Sequence, residues 1–381
     1  MRRTIYDAEH EAFRDAVRQF TAKEVVPHFA EWERQHHVPR DLYRQMGQLG
    51  FLGMQIPEQY GGGGQTTFKF NVILSEEMAR QHVVFGTATL HTDVLLPYIL
   101  VLARDEQKQR WLPGMASGEN MMAIAMSEPG TGSDLSGIAT TARRDGEHYV
   151  LNGAKTFITG GILADQVVVV ARTSREDDRR RGLSLIVVER DTPGFTRGRN
   201  LEKIGLRASD TAELFFDDVR VPVANRLGEE GEGFRYLELN LPQERLSIAV
   251  GSQAAAVAAL ETTIAYTRQR TVFGQSVAAF QNTKFELAAC ATEIEAGQAL
   301  VDKAIEELDA GALTAADAAK VKLFCSELQG RVIDRCLQLH GGYGYMLEYP
   351  IARLYADARP SRIFGGTNEV MKLIISKSLG V

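Results

Sequence analysis

Met126-Ser127-Glu128-Pro129-Gly130-Thr131-Gly132-Ser133-Asp134 stands where the character of this 381-residue chain changes. Upstream, over residues 5–120, apolar side chains recur at helical spacing: Phe13, Val17, Phe20 and Val25, then Leu42, Met46 and Leu49, then Ile73, Leu74 and Met78. Pro27, Pro39, Pro57 and the glycines at 61–64 punctuate them. From residue 121 short β-rich runs take over, at 121–126, 148–151, 167–171, 183–189 and 212–216. Turn signals such as Arg144-Asp145-Gly146 and Thr192-Pro193-Gly194 separate them, and 174–181 reads as a charged, solvated connector. From residue 231 the helical period returns, first in an Ala-rich run at 247–265, then at 282–308, 314–338 and 368–379. The expected fold is α+β: an N-terminal helical domain over 1–120, a middle β domain over 121–230 and a C-terminal helical bundle over 231–381. A hundred residues of short strands predict a small barrel or sandwich in the middle.

Composition narrows the function. Lys plus Arg total 43 against 49 for Asp plus Glu, a net charge of −6, which argues against nucleic acid or an anionic membrane as the main partner. No apolar run reads as long enough to cross a bilayer. The start, Met1-Arg2-Arg3-Thr4-Ile5-Tyr6, lacks an apolar h-region, so the expected compartment is the cytoplasm. Cys290, Cys325 and Cys336 have no metal-ligand spacing and read as reduced, buried thiols.

The 126–134 stretch leaves a strand with two glycines and three hydroxyl residues, and such a loop presents backbone N–H groups to a polar planar ligand or a phosphate. By composition alone it is equally an ordinary polar turn. A second stretch, Asn152-Gly153-Ala154-Lys155-Thr156-Phe157-Ile158-Thr159-Gly160-Gly161, follows a strand and sets an aromatic among small and hydroxyl residues. Phe157 alone reads more readily as core than as a ligand contact. His340 has no flanking ligands that would make it a metal site.

Together, at this spacing, the two stretches resemble the acyl-CoA dehydrogenase family, and the resemblance runs the length of the chain. It continues through Lys203-Ile204-Gly205-Leu206-Arg207-Ala208-Ser209-Asp210-Thr211, Arg268-Gln269-Arg270-Thr271-Val272-Phe273-Gly274, Gln338-Leu339-His340-Gly341-Gly342-Tyr343-Gly344 and Ile363-Phe364-Gly365-Gly366-Thr367-Asn368-Glu369. That family's fold has an N-terminal helical domain, a middle β-barrel domain and a C-terminal four-helix bundle. The resemblance implies FAD as cofactor and a homotetramer, a dimer of dimers. Residues 124–133 are implied to contact FAD, with Met126, Ser127, Gly132 and Ser133 as cofactor residues and Ser133 also near the CoA phosphates. Phe157, Ile158 and Thr159 are implied against the isoalloxazine. Trp is commoner at the Phe157 position, and Phe keeps the aromatic face while losing an indole N–H. Arg270, Phe273, Gln281, Gln338, Gly341 and Gly342 are implied at the FAD of a neighbouring subunit, and Thr367 and Glu369 at the flavin end of the last helix. Pro242, Arg245 and Gly366 are implied substrate contacts.

The implied reaction removes the α-proton and the β-hydride of an acyl-CoA, giving the trans-2-enoyl-CoA, with flavin N5 taking the hydride. Many relatives place the catalytic Glu where this chain has Gly365. The long-chain and isovaleryl branches supply it from a bundle helix, directly before Arg. Leu241-Pro242-Gln243-Glu244-Arg245-Leu246 matches that pattern, so Glu244 is the expected base. Gly365 keeps a backbone N–H for the thioester carbonyl. Electron-transfer flavoprotein is the implied acceptor. Other readings are the same chemistry on a carrier-protein thioester, an acyl-CoA oxidase, and a flavin-less scaffolding subunit.

Overall fold

The computed structural model describes residues 2–381. Six helices come first: α1 (Ala8–Phe20), α2 (Phe29–Gln35), α3 (Arg40–Gln48), α4 (Lys69–Arg80), α5 (Leu96–Leu102) and α6 (Asp105–Ser117). The Asp7 carboxylate starts α1 by accepting from the Glu9 and His10 N–H groups, satisfying two donors that have no helical partner. Arg14 and Arg18 then tie α1 to α4 through Glu77, whose side chain is fully buried.

The middle of the chain forms β1 (Met122–Ala125), β2 (Thr141–Asp145), β3 (His148–Thr159), β4 (Gln166–Arg172), β5 (Leu183–Glu189), β6 (Phe195–Asn200), β7 (Thr211–Pro222) and β8 (Arg226–Leu227). Their order is β6-β7-β3-β2-β4-β5-β8, with β1 parallel to β4. This corrects the expected barrel: the sheet is open. Closure needs the two edge strands to meet, and β6 pairs only with β7 while β8, two residues long, pairs only with β5. β4 and β5 are buried on both faces and read as continuous apolar runs. Val168 and Val170 join a core with α5 and α6, whereas Val167 and Val169 face a second core with Tyr149, Leu151 and Phe216.

The last third holds α7 (Gly233–Gln269), the two-residue strands β9 (Thr271–Val272) and β10 (Gln275–Ser276), α8 (Gln281–Asp309), α9 (Ala315–His340), α10 (Pro350–Ala358) and α11 (Asn368–Ser378). α7, α8, α9 and α11 pack as a helical bundle, and α4 also leans on α7. α7 corrects a second expectation, since by length and composition it could cross a membrane: it is 37 residues long, with a mean hydropathy of 1.3 over its most apolar window. Here that window is 61% buried inside the protein, as suits the central helix of a bundle. The three cysteines are free and buried.

Candidate active site

Two helices meet at the expected base. Pro97 interrupts the entry to α5: it has no N–H, so the Asp93 carbonyl four residues earlier lacks its helical donor. The chain there adopts a π-helical turn, Leu90–Leu95. Gln243 Nε2 of α7 donates to that Asp93 carbonyl at 2.8 Å, and Asn240 Nδ2 donates to the neighbouring Val94 carbonyl at 3.1 Å. The Ser247 hydroxyl donates to the Asp93 carboxylate, which also accepts from Asn71 Nδ2 at 2.8 Å. These bonds register α5 on α7 and bring Tyr98 to Glu244.

Glu244 is buried, 8% exposed. Tyr98 Oη donates to its Oε1 at 2.9 Å and Asn240 Nδ2 to the same oxygen at 3.2 Å. Burial pushes the carboxyl above the ordinary range, opposed by the two donors and the Arg245 charge. Arg245, also buried, is pushed down by its own burial against the pull of Glu244, and its Nε reaches the Gly365 carbonyl at 3.4 Å. Gly365 and Gly366 take φ values of +64° and +89°, a left-handed pair that L side chains rarely adopt. Neither of their N–H groups donates to any partner among the described residues. Thr367 caps α11 by accepting from the Val370 N–H, and Glu369 is exposed in its first turn.

Sequence reasoning missed Lys322. It is fully buried in α9 and its Nζ donates to the Gly366 carbonyl at 2.8 Å and Asn368 Oδ1 at 2.9 Å, holding the glycine turn from below. Burial, with the Arg245 charge, lowers it to about 8. Lys322→Met leaves both acceptors without this donor and is expected to destabilise the fold by about 1–3 kcal/mol, read from urea unfolding. An unfolded lysine titrates near pH 10.4, so between about 8 and that value the folded state binds fewer protons than the unfolded one. Stability contributed by this group therefore rises with pH across that window. The variant is expected to show a shallower rise than the wild type, because Lys155 and Lys203, also lowered to about 8 by burial, keep contributing in the same window.

The first two motifs join through Lys155, also fully buried, whose Nζ donates to the Met126 carbonyl at 3.0 Å and Glu128 Oε1 at 2.9 Å. Glu128 further accepts from the Ala139 and Thr140 N–H groups, and the Thr156 N–H donates to the Ser127 carbonyl. The β3–β7 register shifts between Lys155 and Ile158. This bulge puts Phe157 at φ +58° and turns its ring out to 71% exposure, while Ile158 stays in the core. Half-buried Met126 packs on the core that holds Ile124, Tyr98 and Leu237, so the loop and the Glu244 neighbourhood share one core. Gly132 and Ser133 are exposed at the loop tip.

A third group lies elsewhere. Arg270, Gln338, Gly341 and Gly342 line a hollow of about 610 Å³ with Tyr266 and Tyr343, the Arg270 guanidinium 5.2 Å from the Tyr343 ring centre. Phe273 is 95% exposed beside it, and Gln281 is exposed at the start of α8. Arg270 follows Glu244 by 26 residues of α7, about 39 Å at 1.5 Å per residue. Pro242 sits in α7 two residues before Glu244.

The surfaces fit a flavin dinucleotide. An outward aromatic stands beside a loop in which a Cβ at Gly130 or Gly132 would meet nothing within 4 Å. A second hollow offers a guanidinium and open glycine backbone to a phosphate. With a buried carboxylate beside a turn of unclaimed N–H groups, the fold and site define an FAD-dependent oxidoreductase that works next to a carbonyl.

Models of the acyl-CoA dehydrogenase N-terminal, middle and C-terminal domains match residues 7–119, 123–219 and 231–380. The long-chain specific acyl-CoA dehydrogenase, mitochondrial, of Sus scrofa is 46% identical over 99% of this chain and 88% of that protein. A crystal structure of acyl-CoA dehydrogenase from Geobacillus kaustophilus superposes with a TM-score of 0.96 at 48% identity, covering 99% of each chain. A glutaryl-CoA dehydrogenase from Mycobacterium smegmatis, solved in complex with FADH2, has a TM-score of 0.90 at 32% identity over 98% of this chain and 95% of that one. The chain belongs to the acyl-CoA dehydrogenase family. Its cofactor is FAD and its reaction is the α,β-dehydrogenation of an acyl-CoA thioester. The cytoplasmic expectation is corrected: the pig relative is named mitochondrial, as are its rat and mouse counterparts at 44% identity. The expectation rested on the lack of an apolar h-region, and an h-region marks secretion alone, so its lack does not assign a compartment.

Proposed function

We propose that Glu244, delivered from α7, takes the α-proton of a long-chain or related acyl-CoA, and that the Gly365 N–H polarises the thioester carbonyl. The observation that carries this reading is the buried Glu244 carboxylate one residue from Arg245, which reaches the Gly365 carbonyl. Charge develops on the thioester oxygen as the proton leaves, and a donor fixed in a glycine turn stabilises it without rearrangement. The left-handed turn at Gly365 and Gly366 calls for glycine, since a Cβ at Gly365 would collide with Ile248 and one at Gly366 would press on Met371. Bound FAD supplies the acceptor for the hydride that leaves the β-carbon. Met126, Ser127, Gly132, Ser133, Phe157, Ile158, Thr159, Thr367 and Glu369 hold its flavin half, and Pro242, Arg245, Gly366 and Ser133 contact the substrate.

The distance along α7 supports an oligomer, a homotetramer built as a dimer of dimers. One dinucleotide cannot span from Glu244 to Arg270 of the same chain, so Arg270, Phe273, Gln281, Gln338, Gly341 and Gly342 serve a neighbouring subunit's FAD. Residues 1–120, 121–230 and 231–381 act as three domains, with FAD held where they meet. Electron-transfer flavoprotein reoxidises the flavin.

Anaerobic flavin bleaching across saturated straight and branched acyl-CoAs tests the substrate reading. Long straight chains are expected to give the highest kcat/KM. A methylene in an apolar pocket is worth about 1–3 kcal/mol, so the profile should be graded. Bleaching only by carrier-protein thioesters would overturn it.

A further inference from the structure

We propose that Tyr98 is a positioning residue for the Glu244 carboxylate, its hydroxyl acting with the Asn240 amide to clamp Oε1 and leave Oε2 as the atom that takes the proton. The inference rests on Glu244 being the base and goes beyond it. Both donors converge on one oxygen, and no group among the described residues donates to the other. Tyr98 is 2% exposed in a core of Leu95, Leu96, Ile99 and Leu237, where a Phe ring would fill the same space. Among the described residues its hydroxyl donates to Glu244 alone, with the Asn240 side chain also close to it. A buried phenol is retained in such a core for its polar end.

The clamp is fixed on both sides. Asn240 Nδ2 also bonds the Val94 carbonyl, so the second donor is anchored on the π-helical turn. Gln243 Nε2 donates to the Asp93 carbonyl on the same turn, five residues before Tyr98. Thus Asn240, Gln243 and Ser247 of α7 hold the turn that leads into Tyr98 and present its hydroxyl to one carboxylate oxygen.

Of the charged groups around Glu244, Arg245 on its own helix acts on it directly. Asp93, from the π-helical turn, is turned toward Ser247 and Asn71. Lys322 from α9 lies under Gly366, and Glu369 of α11 is exposed beyond it. Donation from Tyr98 favours the carboxylate form, so its removal must raise the pH at which Glu244 becomes a base.

The test is the pH dependence of flavin reduction at saturating acyl-CoA for wild type, Tyr98→Phe and Asn240→Ala. A hydrogen bond to a charged group predicts that Tyr98→Phe moves the acid limb up by about one pH unit. At the wild-type midpoint the rate then falls about fivefold, with a smaller loss at high pH, while bound flavin is retained. Asn240→Ala should shift the limb the same way. An unmoved limb, or an equal loss at every pH, overturns the clamp. Glu244→Gln run alongside separates the two ideas: if it reduces flavin normally the base assignment fails, and if it is inactive while the Tyr98→Phe limb stays put, only the clamp fails.

Discussion

Glu244→Gln is expected to keep its FAD and its fold but to bleach about 10²–10⁴ times more slowly with acyl-CoA, the range that general-base catalysis contributes. Gln has nearly the shape of Glu, and its amide oxygen can still accept from Tyr98 and Asn240, so the contact at Oε1 survives. What disappears is the proton acceptor. The neighbouring charge also changes, because Arg245 is buried and opposed by Glu244. Stopped-flow absorbance of the flavin, with substrate affinity measured separately, distinguishes lost chemistry from lost binding. A wild-type rate would remove Glu244 from the mechanism.

Lys155→Met is the second large effect. The lysine and Glu128 form a buried ion pair, and breaking such a pair from one side costs about 3–5 kcal/mol because the other charge is left stranded. The two partners are not equally served. Burial lowers Lys155 to about 8 despite the Glu128 charge. On Glu128, burial raises the carboxyl, yet Lys155 and the Thr140 and Ala139 bonds together hold it below its ordinary value. The carboxylate is therefore the better satisfied member. The Met126 carbonyl also loses its donor, and Met126 opens the loop assigned to the flavin. The variant is expected to melt earlier and to elute with less FAD. Glu128→Gln added to Lys155→Met should recover part of the stability, since no buried charge then remains. A Lys155→Met protein with wild-type melting and full flavin would show that the pair does not hold the loop.

The sequence made some of this visible and hid the rest for identifiable reasons. The helical and strand periods located the elements because each depends on neighbours within a few residues. Sheet closure was misjudged because it depends on whether β6 meets β8, a contact that no local pattern carries. Glu244 and Gly365 come forward as candidates only as a pair, an acid gained in one motif where another lacks it. Tyr98 was hidden in an apolar run that reads as plain core. Lys155 and Lys322 look like ordinary surface lysines until the Met126 carbonyl and the Gly366 carbonyl, distant in sequence, close over them.

The most direct measurement follows the proton rather than the flavin. An acyl-CoA analogue with no hydrogen on its β-carbon cannot lose a hydride, yet its α-hydrogen remains open to the base. Incubated in D2O and read by mass spectrometry, it is expected to take up deuterium at the α-carbon with wild-type enzyme and to take up almost none with Glu244→Gln. Equal uptake by the two proteins would contradict the assignment of the base to α7.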